Sequence, residues 1–317
     1  MKAAVVRSFG DPAALRLEDV PTPRPGPGEV TVDVEFAGVG FVDTLVRAGA
    51  FSFVQLPVTP GIEVAGRIRE VARDVTALRT GQRVVSLLTD FTDGGMGGYA
   101  EVAVAKAGLT LPLTDADDLA TAAAVVVNGA TAHLATEAIE PGDAVAVTGA
   151  SGGLGQRLVA AATRSGATSI VAITSSPHRE AALKQLGATC VMSLEMFTRE
   201  DMQVDIGFDT VGGEHRARLM GKLRSAGRLL LLGNASGSDV GLSGDDIWLR
   251  SLHVEGLSTG GLSGTDAARI AAAAAAAIAD ARLRPPPFET IDFGDVADAH
   301  RMLKERLGPG KMVLQMR

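Results

Sequence analysis

Two kinds of hydrophobic patterning follow one another along the chain. Up to about Leu111 the apolar runs are short and β-branched, at residues 1–6, 29–36 and 82–88. Proline- and glycine-rich clusters at 21–28, 57–61 and 94–98 separate them. Short strands between regular turn signals predict a compact, mainly β domain. From about Ala120 the pattern changes: aliphatic runs at 144–147, 169–173, 190–192, 204–209 and 228–232 alternate with helical stretches such as 156–165. That alternation predicts a parallel sheet covered by helices on both faces, an α/β architecture. The alanine-rich segment 267–281 predicts one more helix, by intrinsic propensity.

The most informative chemistry sits at Thr148-Gly149-Ala150-Ser151-Gly152-Gly153-Leu154-Gly155, between the strand at 144–147 and the helix at 156–165. A glycine turn there presents backbone N–H groups at a helix N-terminus, and the missing side chains let a pyrophosphate come close. Ala150 replaces the first glycine of the usual fingerprint. Tight turns alone also produce glycine triplets, but the strand–turn–helix context points to a dinucleotide. Ala150, Ser151, Gly152, Gly153 and Leu154 are the candidate contacts.

The next strand, 169–173, indicates which dinucleotide. An NAD site would place Asp or Glu near its end to bind the ribose hydroxyls. Here the end reads Thr174-Ser175-Ser176-Pro177-His178-Arg179. No carboxylate is there to repel a 2′-phosphate, and Thr174, Ser175, Ser176 and Arg179 offer charge-assisted hydrogen bonds to one. NADP(H) is the expected cofactor. The plainer alternative is a polar loop with a solvated Arg.

Composition narrows the class. A chain of 317 residues has room for two domains, and 46% hydrophobic with 21% charged residues describes a globular protein. The net charge of -7, without a basic cluster, argues against a nucleic-acid partner. Cys190 is the only cysteine, so no intrachain disulfide or cysteine zinc cluster can form. No signal-peptide pattern opens the chain, and the apolar run 271–277 is too short to span a membrane. A cytoplasmic enzyme without a membrane partner is expected.

Several motifs together carry a resemblance. They are Gly38-Val39-Gly40-Phe41-Val42-Asp43, Pro60-Gly61-Ile62-Glu63-Val64-Ala65-Gly66, Gly98-Tyr99-Ala100-Glu101 and the 150–155 loop. Leu186-Gly187-Ala188, Phe208-Asp209-Thr210-Val211-Gly212-Gly213, Leu232-Gly233-Asn234 and Gly310-Lys311-Met312-Val313-Leu314 continue them in order. The chain resembles the zinc-independent branch of the medium-chain dehydrogenase/reductase superfamily, in its NADPH:quinone oxidoreductase group. The resemblance implies a GroES-like, mainly β catalytic domain from 1–122 and 263–317. A doubly wound Rossmann domain, 123–262, would be inserted between its parts, with the active site in the cleft. It also implies a homodimer, through an edge strand at 251–257.

Zinc-using relatives place Cys where Gly40 stands and His where Ile62 stands. Neither Gly nor Ile has a donor atom, and the five His and one Cys fall in no zinc-ligand spacing. No metal is expected. Without a Lewis acid, alcohol oxidation loses its stabiliser for an alkoxide. Reduction of an activated acceptor, a quinone or an α,β-unsaturated carbonyl, remains feasible. The group also usually carries Asn at the position of Gly40, Tyr at that of Phe51 and a Tyr near Leu194; all three are missing. Two alternatives follow: an enoyl-type reductase of a polyketide-like intermediate with a remodelled pocket, or a non-catalytic NADPH-binding protein.

Other site residues carry over by position. Asp43 would lie near the cleft as a catalytic group, although an N-cap for a helix at 44–48 explains it as well. Asn128, Thr131 and Leu257-Ser258-Thr259 would approach the nicotinamide. Gly233-Asn234-Ala235 follows a parallel strand, at the carboxyl end where such sheets bind ligands. For a small apolar or aromatic substrate, Phe41, Phe51, Phe53, Val54 and Trp248 are candidate lining residues, with ordinary loop packing as the alternative. His133 reads as helix packing. Lys311 matches the closing signature, and a surface Lys accounts for it equally well.

Overall fold

The computed structural model describes residues 1–88, 97–238, 240–262, 265–305, 307–308 and 310–316. Gly94, Gly95 and Met96 of the predicted turn lie outside the described residues. In chain order the elements begin with β1 (Lys2–Val6), β2 (Leu15–Asp19), β3 (Glu29–Val39), α1 (Phe41–Ala48) and β4 (Glu63–Val71). Next come β5 (Arg83–Leu87), β6 (Val102–Lys106), β7 (Thr110–Pro112) and α2 (Leu119–Thr136). The alternating part holds β8 (Ala144–Thr148), α3 (Gly153–Arg164), β9 (Ser169–Ile173), α4 (Glu180–Gln185), β10 (Cys190–Met192), α5 (Leu194–Arg199) and β11 (Val204–Asp209). It continues with α6 (Gly213–Gly221), β12 (Leu223–Leu231), α7 (Gly244–Leu249) and β13 (His253–Gly256). Then follow α8 (Thr259–Leu262), α9 (Ala267–Leu283), β14 (Glu289–Asp292), α10 (Val296–Glu305) and β15 (Met312–Gln315).

Contacts divide the chain into two compact units, 1–130 with 262–317, and 131–261. The sequence expectation put the breaks at 122/123 and 262/263; the first of these, like the break at 130/131, falls inside the continuous helix α2. In the first unit a sheet runs in the order β14-β15-β3-β4-β5-β7, with β6 paired to β3. The long strand β3 anchors it, pairing antiparallel with β15, β4 and β6. Its Val30, Val32 and Val34 enter a core shared with Val64, Ile68 and Val84 of the neighbouring strands. The C-terminal strand β15 thus completes a sheet begun near the N-terminus.

The second unit is a parallel sheet in the order β10-β9-β8-β11-β12-β13. Strand side chains alternate between two apolar layers. Val145, Val147, Ile170 and Ala172 join one, while Ala146, Val171 and Ile173 join the other. Burial on both faces is why β8 and β9 read as unbroken apolar runs rather than as alternating ones.

Three local differences from the sequence reading have local causes. Helix α1 starts at Phe41 rather than at 44 because Gly40, not Asp43, is its N-cap residue. The predicted strand 251–257 narrows to His253–Gly256, since Ser251 adopts a left-handed φ of 52°. Helix α2 is long and apolar enough to cross a membrane, which the sequence reading had assigned to no segment; 83% of it is buried inside the protein, as a core helix.

Candidate functional site

In the second unit, the loops at the carboxyl ends of β8, β9, β11 and β12 form the dinucleotide candidate. Gly149 has φ 61° and makes the turn out of β8. The left-handed residue is therefore Gly149, which is why Ala is tolerated at position 150. Ala150 is fully buried, packs in the apolar layer and donates its N–H to the Ile173 carbonyl at 3.1 Å. Its side chain serves the core; only its backbone borders the loop. Helix α3 begins after the N-cap Gly152, and no side chain caps it. Its first N–H groups are the expected phosphate donors. An added Cβ at Gly155 would stand 2.2 Å from the Gly149 carbonyl oxygen and 2.6 Å from Ala150 Cα. Only glycine lets α3 approach β8 this closely.

At the end of β9, the Thr174 hydroxyl donates to Ser151 Oγ at 2.8 Å and accepts from Ser176 N at 3.0 Å. Sequence reasoning placed Thr174 among the phosphate-binding hydroxyls; the fold uses that hydroxyl as a brace between two loops. Ser175 is exposed, and Ser176 and Arg179 are half-buried beside it. Gly233 and Asn234 follow β12, while Ala235 N lies 3.4 Å from the Thr210 carbonyl. Ser258 accepts from Gly261 N at 3.2 Å, so its hydroxyl caps the short α8; Leu257 N bonds the Leu231 carbonyl. Thr259 opens α8, and Asn128 and Thr131 lie one turn apart on α2.

The first unit holds a buried polar cluster. Asp43, the third residue of α1, is fully buried. Its Oδ2 accepts from Gly40 N at 2.8 Å and Tyr99 Oη at 3.0 Å, and its Oδ1 from Gly61 N at 3.0 Å. The expected N-cap role is thus corrected: Asp43 reaches back from the first turn to the cap backbone. With no exposed atom, it acts on its surroundings through Gly40 and Gly61. Burial lifts its carboxyl to about 6, with the nearby Glu63 charge adding to the rise.

Sequence reasoning missed the rest of this cluster. His300 on α10 sets Nε2 3.2 Å from Tyr99 Oη, with the rings edge to face. Because Tyr99 donates to Asp43, the neutral imidazole carries its proton on Nε2. Burial, followed by the Arg47 charge, pushes His300 down to about 3. Lys311 corrects the surface reading: it is buried, pairs with Glu63 and donates to the Val39 carbonyl at 3.2 Å. Glu63 Oε2 also accepts from Val127 N at 3.2 Å, tying α2 to the cluster.

These two shifts give opposite pH responses. An unfolded His takes up a proton below about 6.5 while folded His300 does not, so its contribution is present at neutral pH and lost as pH falls towards 3. Asp43 is protonated first in the folded state, so its contribution favours folding below about 6 and offsets His300 there. The variant His300→Gln keeps an N–H donor for Tyr99 but cannot titrate. Relative to the unmutated protein, its melting temperature should rise progressively between pH 7 and pH 4. A difference in Tm that stays constant with pH would contradict this account of His300.

The apolar candidates separate. Phe51 is half-buried against the first unit's core and stacks on Phe53 with centroids 5.3 Å apart. Phe53 is 56% exposed. Phe41 is half-buried at the start of α1, whereas Val54 is a core residue, which removes it from the lining set. Trp248 belongs to α7 of the second unit and is 75% exposed. His133 packs on α2 with Arg164 at 3.4 Å. Among the described residues, no group of three or more His, Cys, Asp or Glu side chains gathers as a metal-ligand set.

A GroES-like β unit joined to a parallel dinucleotide-type sheet defines a medium-chain dehydrogenase/reductase. The family model for the alcohol dehydrogenase GroES-like domain matches residues 26–115, and that for zinc-binding dehydrogenases matches 153–277. The quinone oxidoreductase of Lama guanicoe is 30% identical over 336 residues, covering 100% of this chain and 98% of its own. Quinone oxidoreductase-like protein 2 of Bos taurus is 27% identical, covering 96% and 89%. A mycobacterial protein solved in complex with NADPH superposes with a TM-score of 0.90 at 28% identity, over 99% of this chain and 100% of its own. The chain belongs to the quinone oxidoreductase family of the medium-chain dehydrogenase/reductase superfamily. Gly40 and Ile62, at the positions that the resemblance assigns to zinc ligands, carry no donor atom on their side chains.

Proposed function

We propose that this chain is a zinc-free, NADPH-dependent reductase that delivers hydride to a quinone or an α,β-unsaturated carbonyl. The observation that carries the reading is the uncapped α3 N-terminus behind the Gly149 turn, beside a β9 end without a carboxylate. The mycobacterial neighbour solved with NADPH supports the cofactor choice. Bound NADPH would supply the hydride. The α3 N–H groups would hold its diphosphate, and Arg179 with Ser175 and Ser176 its 2′-phosphate. Asp43 would act as a positioning residue, fixing the Gly40 and Gly61 backbone. Phe41, Phe51 and Phe53 would present an apolar surface to the acceptor, with Trp248 a further candidate. The proton would come from solvent.

Gly40 and Phe51 place no hydrogen-bond donor from their side chains where an oxyanion would develop, and such donors usually supply a large part of catalysis. Turnover would therefore rest on orienting an acceptor that is already electrophilic. The proposal includes a cytoplasmic homodimer, with a second copy pairing at β13, the edge of the parallel sheet.

NADPH oxidation with a panel of quinones, enones, saturated ketones and aldehydes tests the reading. Quinones and enones should turn over well above the others, with no NADP-dependent oxidation of primary alcohols. Arg179→Ala should weaken NADPH by about one to two decades and NADH much less. Preference for one enoyl substrate class would favour the remodelled-pocket alternative. NADPH binding without turnover would identify a non-catalytic binder, and efficient oxidation of an unactivated alcohol would overturn the proposal.

A further inference from the structure

Three of the four loops at the dinucleotide end converge on one buried carboxylate. Asp209 closes β11 and is fully buried. Its Oδ1 accepts from Thr148 Oγ1 at 2.9 Å, Val211 N at 3.1 Å and Gly212 N at 2.9 Å. Its Oδ2 accepts from Arg216 Nε at 2.8 Å. Thr148 is the last residue of β8, immediately before the Gly149 turn. It also accepts from Thr210 N at 3.0 Å on Oγ1 and from Thr210 Oγ1 at 2.8 Å on its carbonyl. Arg216, one turn into α6, extends Nη2 to the Gly233 carbonyl at 3.2 Å, in the loop after β12. One guanidinium therefore joins the ends of β8 and β11, through Asp209, to the loop that follows β12.

The convergence is tight as well as bonded. An added Cβ at Gly149 would stand 2.6 Å from Thr210 Oγ1, one at Gly212 2.1 Å from Asn234 Oδ1, and one at Gly233 2.8 Å from the Thr210 carbonyl oxygen. Charge matters too. Asp209 places a negative charge beside the loop that a diphosphate would occupy, and Arg216 is the cation bonded to it.

We propose that Arg216 is a positioning residue for the dinucleotide: by bridging Asp209 and Gly233 it locks three loops into one cradle, and it balances the carboxylate they share. The inference rests on the NADPH reading above and adds a determinant that touches no part of the glycine fingerprint. Arg216→Met removes both functions at once. Asp209→Asn in that background removes the uncompensated charge while keeping an oxygen to accept from Thr148 and the backbone. Arg216→Lys keeps the charge but loses the fork that reaches two acceptors.

The experiment is titration of each purified protein with NADPH, read by nicotinamide fluorescence, with acceptor KM measured at saturating NADPH. Arg216→Met should raise the NADPH Kd about tenfold to a hundredfold. Arg216→Lys should weaken it less, and Asp209→Asn/Arg216→Met should recover part of the loss. The acceptor KM should stay near the unmutated value. Packing loss alone would be indifferent to removing the Asp209 charge, so absent recovery in the double variant would overturn the charge role. Should Arg216→Met fail to fold, unmutated affinity in Arg216→Lys would overturn the clamp. An unmutated protein that binds no NADPH would overturn the cofactor reading and the clamp together. Tight NADPH binding by both the unmutated protein and Arg216→Met would overturn the clamp alone.

Discussion

Lys311→Met is expected to destabilise the first unit by about 3–5 kcal/mol, the range for breaking a buried ion pair from one side. Glu63 is 1% exposed, and Lys311 is its ion-pair partner. Without Lys311 the Glu63 carboxylate stays buried, beside an Asp43 that already resists ionisation partly because of Glu63. The double variant Glu63→Gln/Lys311→Met carries neither charge, and the Gln side-chain oxygen can still accept from Val127 N. It should recover most of the lost stability, since replacing both members of a buried pair is often close to neutral. Urea denaturation of the three proteins checks both points. A single variant that loses less than about 1 kcal/mol, the scale of an exposed pair, would show that Lys311 reaches solvent.

Gly155→Ala is expected to abolish measurable NADPH binding at concentrations that saturate the unmutated protein. The clash distances of 2.2 Å and 2.6 Å are to backbone atoms of Gly149 and Ala150, which no rotamer change can relieve. Either α3 moves off β8, carrying its N–H groups with it, or the Gly149 turn reshapes. Overpacking of this kind also costs roughly 1–3 kcal/mol of stability. Gly221→Ala, at the end of α6 with nothing within 4 Å of its added Cβ, is the control. It should bind NADPH normally and be neutral or slightly stabilising, because alanine loses less backbone freedom on folding. Tight NADPH binding by Gly155→Ala would show that the close helix–strand approach is dispensable.

Much of this fold was legible in the chain because its signals are local. Strands β9 and β11 match the runs read from the sequence, since doubly buried strands are continuous apolar segments wherever they pair, and the short edge strand β10 matches its run as well. The Gly149–Gly155 turn was equally clear, because a left-handed residue and a close backbone approach demand glycine at fixed offsets. That Gly40 and Ile62 carry no donor atom on their side chains, and that residues 174–179 hold no carboxylate, are facts of residue identity.

Tertiary structure alone decided what the buried polar residues do. Asp43, Tyr99 and His300 are separated by 56 and 201 positions along their hydrogen bonds, and Glu63 and Lys311 by 248. No periodicity or motif spacing links positions so far apart. Lys311 read as well for a surface residue, because its type favours water unless a partner is present, and only the fold supplies Glu63. Arg216 carries no signal in the sequence; its contacts exist only because the fold brings the ends of β8, β11 and β12 side by side. Sequence determined which segments become strands, helices and turns. Packing determined which charges lose their water, and thereby which must find one another.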